Sequence, residues 1–257
     1  MLLAGLGVLM TGMKMLSEGL ERSAGSSMRK LFGKISNNRF ASIGVGAVAT
    51  VLVNSSAATT VMVIGFVNAG LMSLVQATAI IMGANIGTTL TGVIIALSGF
   101  SLSAYMAILA FVGVLISMIS KNDTVKKVGS AITGLGLMFV GLSFMSEAFK
   151  TQKIASALET VFLKVDFPLV LILIGIVCTA LFQSSAAMTA IVVTMSGAGI
   201  IPLSSALFVI LGTNIGTCVT AIIASFGTNT NAKRTAMIHL LFNLIGTFIF
   251  TVFIWIF

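Results

Sequence analysis

One polar stretch occurs twice in this chain, each time inside a long apolar run: Val-Asn-Ser-Ser-Ala-Ala-Thr-Thr from Val53 and Phe-Gln-Ser-Ser-Ala-Ala-Met-Thr from Phe182. Asn54 and Gln183 stand 129 residues apart, and the same interval aligns much more than the serines. Gly-Leu-Gly-Val-Leu-Met-Thr-Gly from Gly5 meets Gly-Leu-Gly-Leu-Met-Phe-Val-Gly from Gly134. Ala69-Gly-Leu meets Ala198-Gly-Ile, and Gly-Ala-Asn-Ile-Gly-Thr-Thr-Leu-Thr from Gly83 meets Gly-Thr-Asn-Ile-Gly-Thr-Cys-Val-Thr from Gly212, all without a gap. A leucine-rich composition returns matching apolar positions by chance; it does not return Ser-Ser-Ala-Ala and Asn-Ile-Gly-Thr in register. The chain reads as a tandem duplication, residues 1–128 and 129–257.

What surrounds the motifs decides the class. With 58% hydrophobic residues, 8% charged residues and a mean hydropathy of +1.16, the chain has too little polar surface for a water-soluble domain of its size. Several apolar stretches approach the roughly 20 residues that a spanning helix needs, and the strict alternation of a membrane barrel is missing. The expectation is an all-α integral membrane protein, with the lipid bilayer as its main partner. The net charge of +8 comes from basic residues in short connections flanking apolar segments, where lysine and arginine set membrane orientation rather than bind nucleic acid. Cys178 and Cys218 lie in apolar stretches without metal-ligand spacing and read as reduced packing residues. The first fifteen residues carry neither a basic leader nor a small-residue cleavage site, so the first helix is expected to be retained.

Each half follows one plan. In the first, a helix from Leu2 to about Leu20 precedes a basic, interfacial stretch from Glu21 to Arg39. An interrupted apolar segment follows from Phe40 to Val67, then helices from Leu74 to Leu97 and Leu102 to Ile119. The second half runs Ala131 to Phe149, Pro168 to Ser196 with its own interruption, Leu203 to Phe226, and Thr235 to Phe257. If the interrupted segments, about 40–68 and 168–197, are re-entrant hairpins, each repeat crosses three times and the copies are inverted. If they cross, the copies are parallel. Pieces such as Ala41 to Val53 are shorter than a span and favour the hairpin, and inverted repeats with a midplane site are a recurring transporter plan. Charge does not choose, because either topology puts ten lysines and arginines on one side and three on the other, Lys14 aside. In the hairpin reading the rich side holds Arg22, Arg29, Lys30, Lys34, Arg39, Lys121, Lys126, Lys127, Lys233 and Arg234, and faces the cytoplasm.

An unpaired hydroxyl or amide in hydrocarbon costs several kcal/mol, so Gln183, Ser184 and Ser185 must face a partner, a cavity or a ligand. At a hairpin tip, the second half-helix begins at Ser184 or Ser185 and aims free N–H groups and a positive dipole end into the membrane, which suits an oxyanion. No lysine or arginine occurs in residues 41–96 or 167–225. An anion there would be offset by dipoles and co-bound cations. The Gly-x-Asn-Ile-Gly-Thr pieces fit that second role: their glycines permit an unwound turn, and Asn85, Thr88, Thr89, Asn214 and Thr217 offer oxygens without carboxylates, a set suited to Na⁺. Each piece is also a GxxxG, which in membranes lets two helices approach closely. Intramembrane serines also bond back to their own helix, yet the in-register repetition favours the site. His239, whose counterpart is Ala110, reads as structural; Lys14 snorkels.

Taken together, Asn-Ser-Ser-Ala-Ala-Thr-Thr, Gln-Ser-Ser-Ala-Ala-Met-Thr, Gly-Ala-Asn-Ile-Gly-Thr-Thr and Gly-Thr-Asn-Ile-Gly-Thr-Cys resemble the type II sodium/phosphate cotransporter family, marked by a Gln-Ser-Ser signature in each of two inverted repeats. The resemblance implies Na⁺-coupled symport of inorganic phosphate by alternating access in the cell inner (plasma) membrane, with the signatures as hairpin tips at the phosphate site. Carried over, it assigns phosphate to Gln183, Ser184 and Ser185 and to Ser55 and Ser56, with Thr60 and Thr189 joining them. Asn54 stands where the family usually has glutamine, one methylene shorter. Family members are commonly longer, with further helices and, in bacteria, a cytoplasmic helical regulatory domain, so this chain is expected to be a core form; a homodimer is left open. A passive anion channel and an intramembrane serine hydrolase are the alternatives. The second needs a base beside its serine, and the apolar core offers no Asp, Glu or Lys.

Overall fold

The computed structural model describes residues 1–33, 38–96, 103–151 and 167–256, with backbone alone for 24–31, 33, 103 and 104. Among these residues the regular structure is entirely helical: α1 Leu2–Gly33, α2 Arg39–Val53, α3 Ser56–Asn68, α4 Leu74–Ala96, α5 Ser103–Ile119, α6 Asp123–Phe149, α7 Pro168–Phe182, α8 Ser185–Gly197, α9 Leu203–Ala224 and α10 Thr230–Ile256. Four of them, α4, α6, α9 and α10, are long and apolar enough to cross a membrane. On α10 the outward residues Leu241, Ile245, Phe248, Ile249 and Phe253 form an apolar face that lipid would cover. This is a helical membrane protein.

Several boundaries differ from the sequence expectation. α1 does not stop near Leu20 but continues through the basic stretch to Gly33. The stretch contains no proline, and Glu18 pairs one turn either way with Lys14 (3.9 Å) and Arg22 (3.2 Å), which supports the helix where apolar residues give way to charged ones. α6 starts at Asp123 rather than Ala131, because Asn122 caps it by accepting from the N–H groups of Thr124 and Val125. α10 starts at Thr230, capped by Asn229. Lys34, Leu97, Leu102 and Phe257, and the side chains of Arg29 and Lys30, lie outside the described residues.

The chain divides into two compact units, each built from separated stretches. The first holds the described residues of 1–25, 92–166 and 189–206. Its frame is α1 packed on α6, with glycines seven residues apart on each helix so that they share one face. A Cβ on Gly5 would meet the backbone of Met145 (2.9 Å) and the Gly141 carbonyl (3.0 Å); one on Gly12 would meet Met138 (2.5 Å) and Gly134 (2.7 Å). One on Gly19 would meet the backbone of Ala131 and the Lys127 carbonyl, both at 2.7 Å. As numbers rise along α1 they fall along α6, so the two helices are antiparallel. The contact is also reciprocal: Gly134 would run into Leu16 and Gly12, and Gly141 into Leu9 and Gly5. Shifted by 129, the contacts of Gly5 and Gly12 map onto those of Gly134 and Gly141, the pattern a two-fold axis produces. α5 covers another side of α6, where Gly113 meets Thr133 and Gly129, and Gly136 meets Met106 and Ala110.

The second unit holds the described residues of 26–91, 167–188 and 207–257. Here α2 lies on α4 and α7 lies on α9. Gly46 abuts the carbonyl of Ile80, Gly83 that of Ile43, and Gly87 that of Ala47 and the side chain of Thr50. The same contacts recur 129 residues on: Gly175 with Val209, Gly212 with Ile172, Gly216 with Ile176 and Thr179. α3 packs against α10. Asn229 fastens that pair: its N–H donates to Asn68 Oδ1 (2.9 Å) and its Nδ2 to the Asn68 carbonyl (3.0 Å), while its Oδ1 accepts from Ala232 N (2.9 Å).

Candidate functional site

Both interrupted segments break where the serines stand. α2 ends at Val53, Asn54 turns into the left-handed region (φ 53°), Ser55 is extended, and α3 starts at Ser56. α7 ends at Phe182, Gln183 turns the same way (φ 52°), and α8 starts at Ser185. Among the described residues, Asn54 and Gln183 are the non-glycine residues with positive φ. Asparagine tolerates this conformation, whereas glutamine accepts it only with some strain, roughly 1–2 kcal/mol for an ordinary L-residue. Such strain kept at a repeated polar position is a pointer to function.

The first serine of each pair caps the half-helix that follows. Ser55 Oγ accepts from Ala58 N and Ser184 Oγ from Ala187 N, both at 3.1 Å. With one lone pair so used, each hydroxyl still has its proton to donate. The second serines, Ser56 and Ser185, occupy the first turns of α3 and α8, where backbone N–H groups have no carbonyl partner within the helix. The halves have 15 and 13 residues in both hairpins, so each is about 20–22 Å long against a hydrocarbon core of about 30 Å.

The two tips differ in their inner bracing. In the first, the hydroxyls of Thr50 on α2 and Thr59 on α3 bond to each other (3.2 Å), Thr59 also donates to the Ser55 carbonyl (3.0 Å), and Thr91 Oγ1 on α4 donates to Asn54 Oδ1 (2.7 Å). Among the described residues two buried polar atoms there have no hydrogen-bond partner, Asn54 Nδ2 and Thr60 Oγ1. In the second tip Met188 occupies the position equivalent to Thr59, and the Thr179 hydroxyl is buried without a partner among the described residues. Gln183 is exposed, and Ser184 and Ser185 are half-buried. Ser185 Oγ makes no hydrogen bond among the described residues, nor does any bond join one tip to the other. Both tips belong to the second unit; Thr189, four residues beyond Ser185 on α8, belongs to the first.

The glycine motifs behave differently from the expected unwound turns. α4 runs unbroken through Gly83–Gly87 and α9 through Gly212–Gly216. The glycines are there because α2 and α7 carbonyls come too close for a Cβ, so no main-chain carbonyl is released. The side-chain oxygens remain. Asn85 Nδ2 donates to the Ile81 carbonyl (3.0 Å), which fixes the amide and leaves Oδ1 as its open acceptor. Thr88 donates to the Ala84 carbonyl (3.1 Å) and Thr217, which is buried, to that of Thr213 (2.9 Å), so each hydroxyl oxygen keeps lone pairs that can accept or ligate. Asn214 is half-buried and Thr89 is exposed.

Sequence reasoning missed Thr50, Thr59 and Thr91. The signal for Thr91 was present, since it ends the matched run Gly83–Thr91 and recurs as Thr220. His239, expected to be structural, is buried on α10 with its carbonyl accepting from Asn243 Nδ2 (2.9 Å) and from the Cys218 thiol (3.7 Å).

Comparison with known proteins completes the picture. The family model for the Na+/Pi-cotransporter matches residues 8–147 and 149–254. Uncharacterized protein YqeW of Bacillus subtilis strain 168 is 32% identical over 92% of this chain and 76% of its own length. The "Putative inorganic phosphate export protein YjbB" of Escherichia coli K12 is 30% identical over 98% of this chain, which spans only 46% of that relative. Sodium-dependent phosphate transport protein 2C of Mus musculus is 39% identical over 37% of this chain and 18% of its own. No solved structure matches.

Proposed function

Because the chain belongs to the Na+/Pi-cotransporter family, we propose that it carries inorganic phosphate across the membrane together with Na⁺, by alternating access between two sides of one site. The observation that carries this reading is the pair of broken segments, each turning at a left-handed amide residue and capping its second half-helix with a serine hydroxyl. An oxyanion held there would receive N–H groups from two half-helix starts, with hydroxyl protons from Ser55, Ser56, Ser184 and Ser185 and amide protons from Asn54 and Gln183. Thr60 and Thr189, four residues further along their helices from Ser56 and Ser185, extend the same faces.

The accompanying architecture is two inverted repeats, 1–128 and 129–257, each with three spanning helices and one re-entrant hairpin. Supporting it are the antiparallel, reciprocal packing of the equivalent helices α1 and α6, the duplicated glycine contacts of the hairpins, and half-helices too short to span. The lysine- and arginine-rich side would then face the cytoplasm from the cell inner membrane.

No basic residue stands in residues 41–96 or 167–225 to neutralise phosphate. In this reading Na⁺ does so, held by Asn85, Thr88 and Thr89 on α4 and by Asn214 and Thr217 on α9, and at least two ions move per cycle. If cations exceed the anion's charge, the membrane potential adds about 2.3 kcal/mol per net charge per 100 mV. The gradients set the direction of net flow, which accommodates both uptake and the export in the name of the E. coli relative.

Uptake of ³²P-phosphate into proteoliposomes under a Na⁺ gradient tests the reading. Accumulation of unaltered phosphate is expected, lost when K⁺ or choline replaces Na⁺, with a Na⁺ Hill coefficient above one. Asn85→Ala and Asn214→Ala should each raise half-saturating Na⁺ about tenfold, the equivalent of roughly 1.4 kcal/mol. Flux without a Na⁺ requirement would mark a passive anion channel instead, and a hydrolysed product an enzyme. A Hill coefficient near one with both asparagine variants harmless would remove the basis for placing Na⁺ at these motifs.

A further inference from the structure

We infer that Thr91, a residue outside both signatures, positions the first tip for the anion by fixing the amide of Asn54 as a donor. The inference rests on the transport reading above and refines its binding site.

Asn54 sits in the left-handed turn between α2 and α3, and by itself its amide can present either oxygen or nitrogen. An anion needs the nitrogen. Thr91, on α4 and 7% exposed, holds the oxygen end: its hydroxyl donates to Asn54 Oδ1 at 2.7 Å. With the oxygen occupied, Nδ2 and its two protons point elsewhere, and Nδ2 is buried without a partner among the described residues. Thr60 Oγ1, buried on a residue 1% exposed, is likewise without a partner. A buried amide nitrogen normally finds an acceptor, and one left without it costs about 1–3 kcal/mol. A bound oxyanion supplies that acceptor.

The backbone around the amide is braced as well. The Thr50–Thr59 bond ties the two half-helices together just behind Asn54, and Ser55 is committed to its cap. Thr91 therefore ties the Asn54 side chain to α4, the helix that carries Asn85 and Thr88 within two turns before it. The second tip is not braced in this way. Its amide, Gln183, is exposed, and the residue equivalent to Thr59 is Met188. The first tip is thus set before phosphate arrives, and the second has the freer side chain.

Thr91→Val keeps the shape and removes the hydroxyl. Measured by Na⁺-driven ³²P-phosphate uptake in proteoliposomes, it should raise the phosphate KM about fivefold, the size expected for one lost hydrogen bond, with the maximal rate per folded transporter little changed. Thr91→Ser should restore the KM. Since Thr91 acts through Asn54, adding Thr91→Val to Asn54→Ala should change nothing further. A merely structural role would lower the amount of folded protein without moving KM, and its effect would add to that of Asn54→Ala; either result overturns the inference. Failure of the wild-type protein to accumulate phosphate would instead sink the transport reading. Full Na⁺-dependent uptake with an unchanged KM in Thr91→Val would sink this inference alone.

Discussion

Replacing Ser185 by alanine is expected to lower Na⁺-dependent phosphate uptake at least about tenfold, the consequence of losing roughly 1.4 kcal/mol or more of hydrogen bonding to a charged ligand. Replacing Ser55, Ser56, Ser184 and Ser185 together should abolish uptake. The single variant is the more informative, because the two serines of a pair have separate duties. Ser184 Oγ accepts from Ala187 N, so Ser184→Ala removes a cap, typically about 1 kcal/mol of helix stability, along with any ligand contact. Ser185 Oγ has no such bond among the described residues. Its loss should therefore leave the folded protein intact by size exclusion and thermal melting while phosphate transport falls. Uptake by Ser185→Ala indistinguishable from wild type would remove this serine from the site.

An equally large effect, of different kind, is expected from Gly212→Ala. A methyl group at that position would lie on the carbonyl oxygen of Ile172 and within 3.0 Å of the Gly175 Cα. Those neighbours are backbone, not flexible side-chain ends, so α7 and α9 would have to separate, an overpacking cost of about 3 kcal/mol or more. Gly83→Ala in the first copy should behave alike, since its methyl would fall on the Ile43 carbonyl. The measurement is the yield of monodisperse protein after detergent extraction, with Gly44→Ala, where nothing stands within 4 Å, as the control. If Gly212→Ala is recovered as well as Gly44→Ala, the close helix approach is not what fixes this glycine.

Much of this was legible in the sequence because the duplication acts as an internal alignment. The breaks at Asn54 and Gln183 could be placed because two polar tips interrupt apolar runs at equivalent positions, and the serines after them carry the N-cap chemistry that starts a helix. The glycine motifs were ambiguous, since GxxxG serves both close packing and an opened turn, and only the position of the Ile43 and Ile172 carbonyls decides for packing. The extent of α1 was obscured because charged residues signal a membrane boundary and not a helix end, and α1 carries its helical bonding through that boundary. Thr50, Thr59 and Thr91 escaped notice for a further reason. Threonines in a membrane helix are ordinary, and what singles these out is a partner across the hairpin or on α4, 9 and 37 residues away in sequence.

Phosphate binding of this kind requires the two tips to share one anion. Across a bound phosphate, the hydroxyls of Ser55 and Ser184 would stand about 8 Å apart, two hydrogen bonds of about 2.7 Å plus the width between two anion oxygens. The direct measurement is cross-linking of Ser55→Cys with Ser184→Cys by a bifunctional thiol reagent of that span, after Cys178 and Cys218 are replaced by alanine. An intramolecular cross-link is expected in the folded protein, suppressed when phosphate and Na⁺ are present together. No cross-link in folded protein, with or without phosphate, would show the tips to be apart and contradict a shared site.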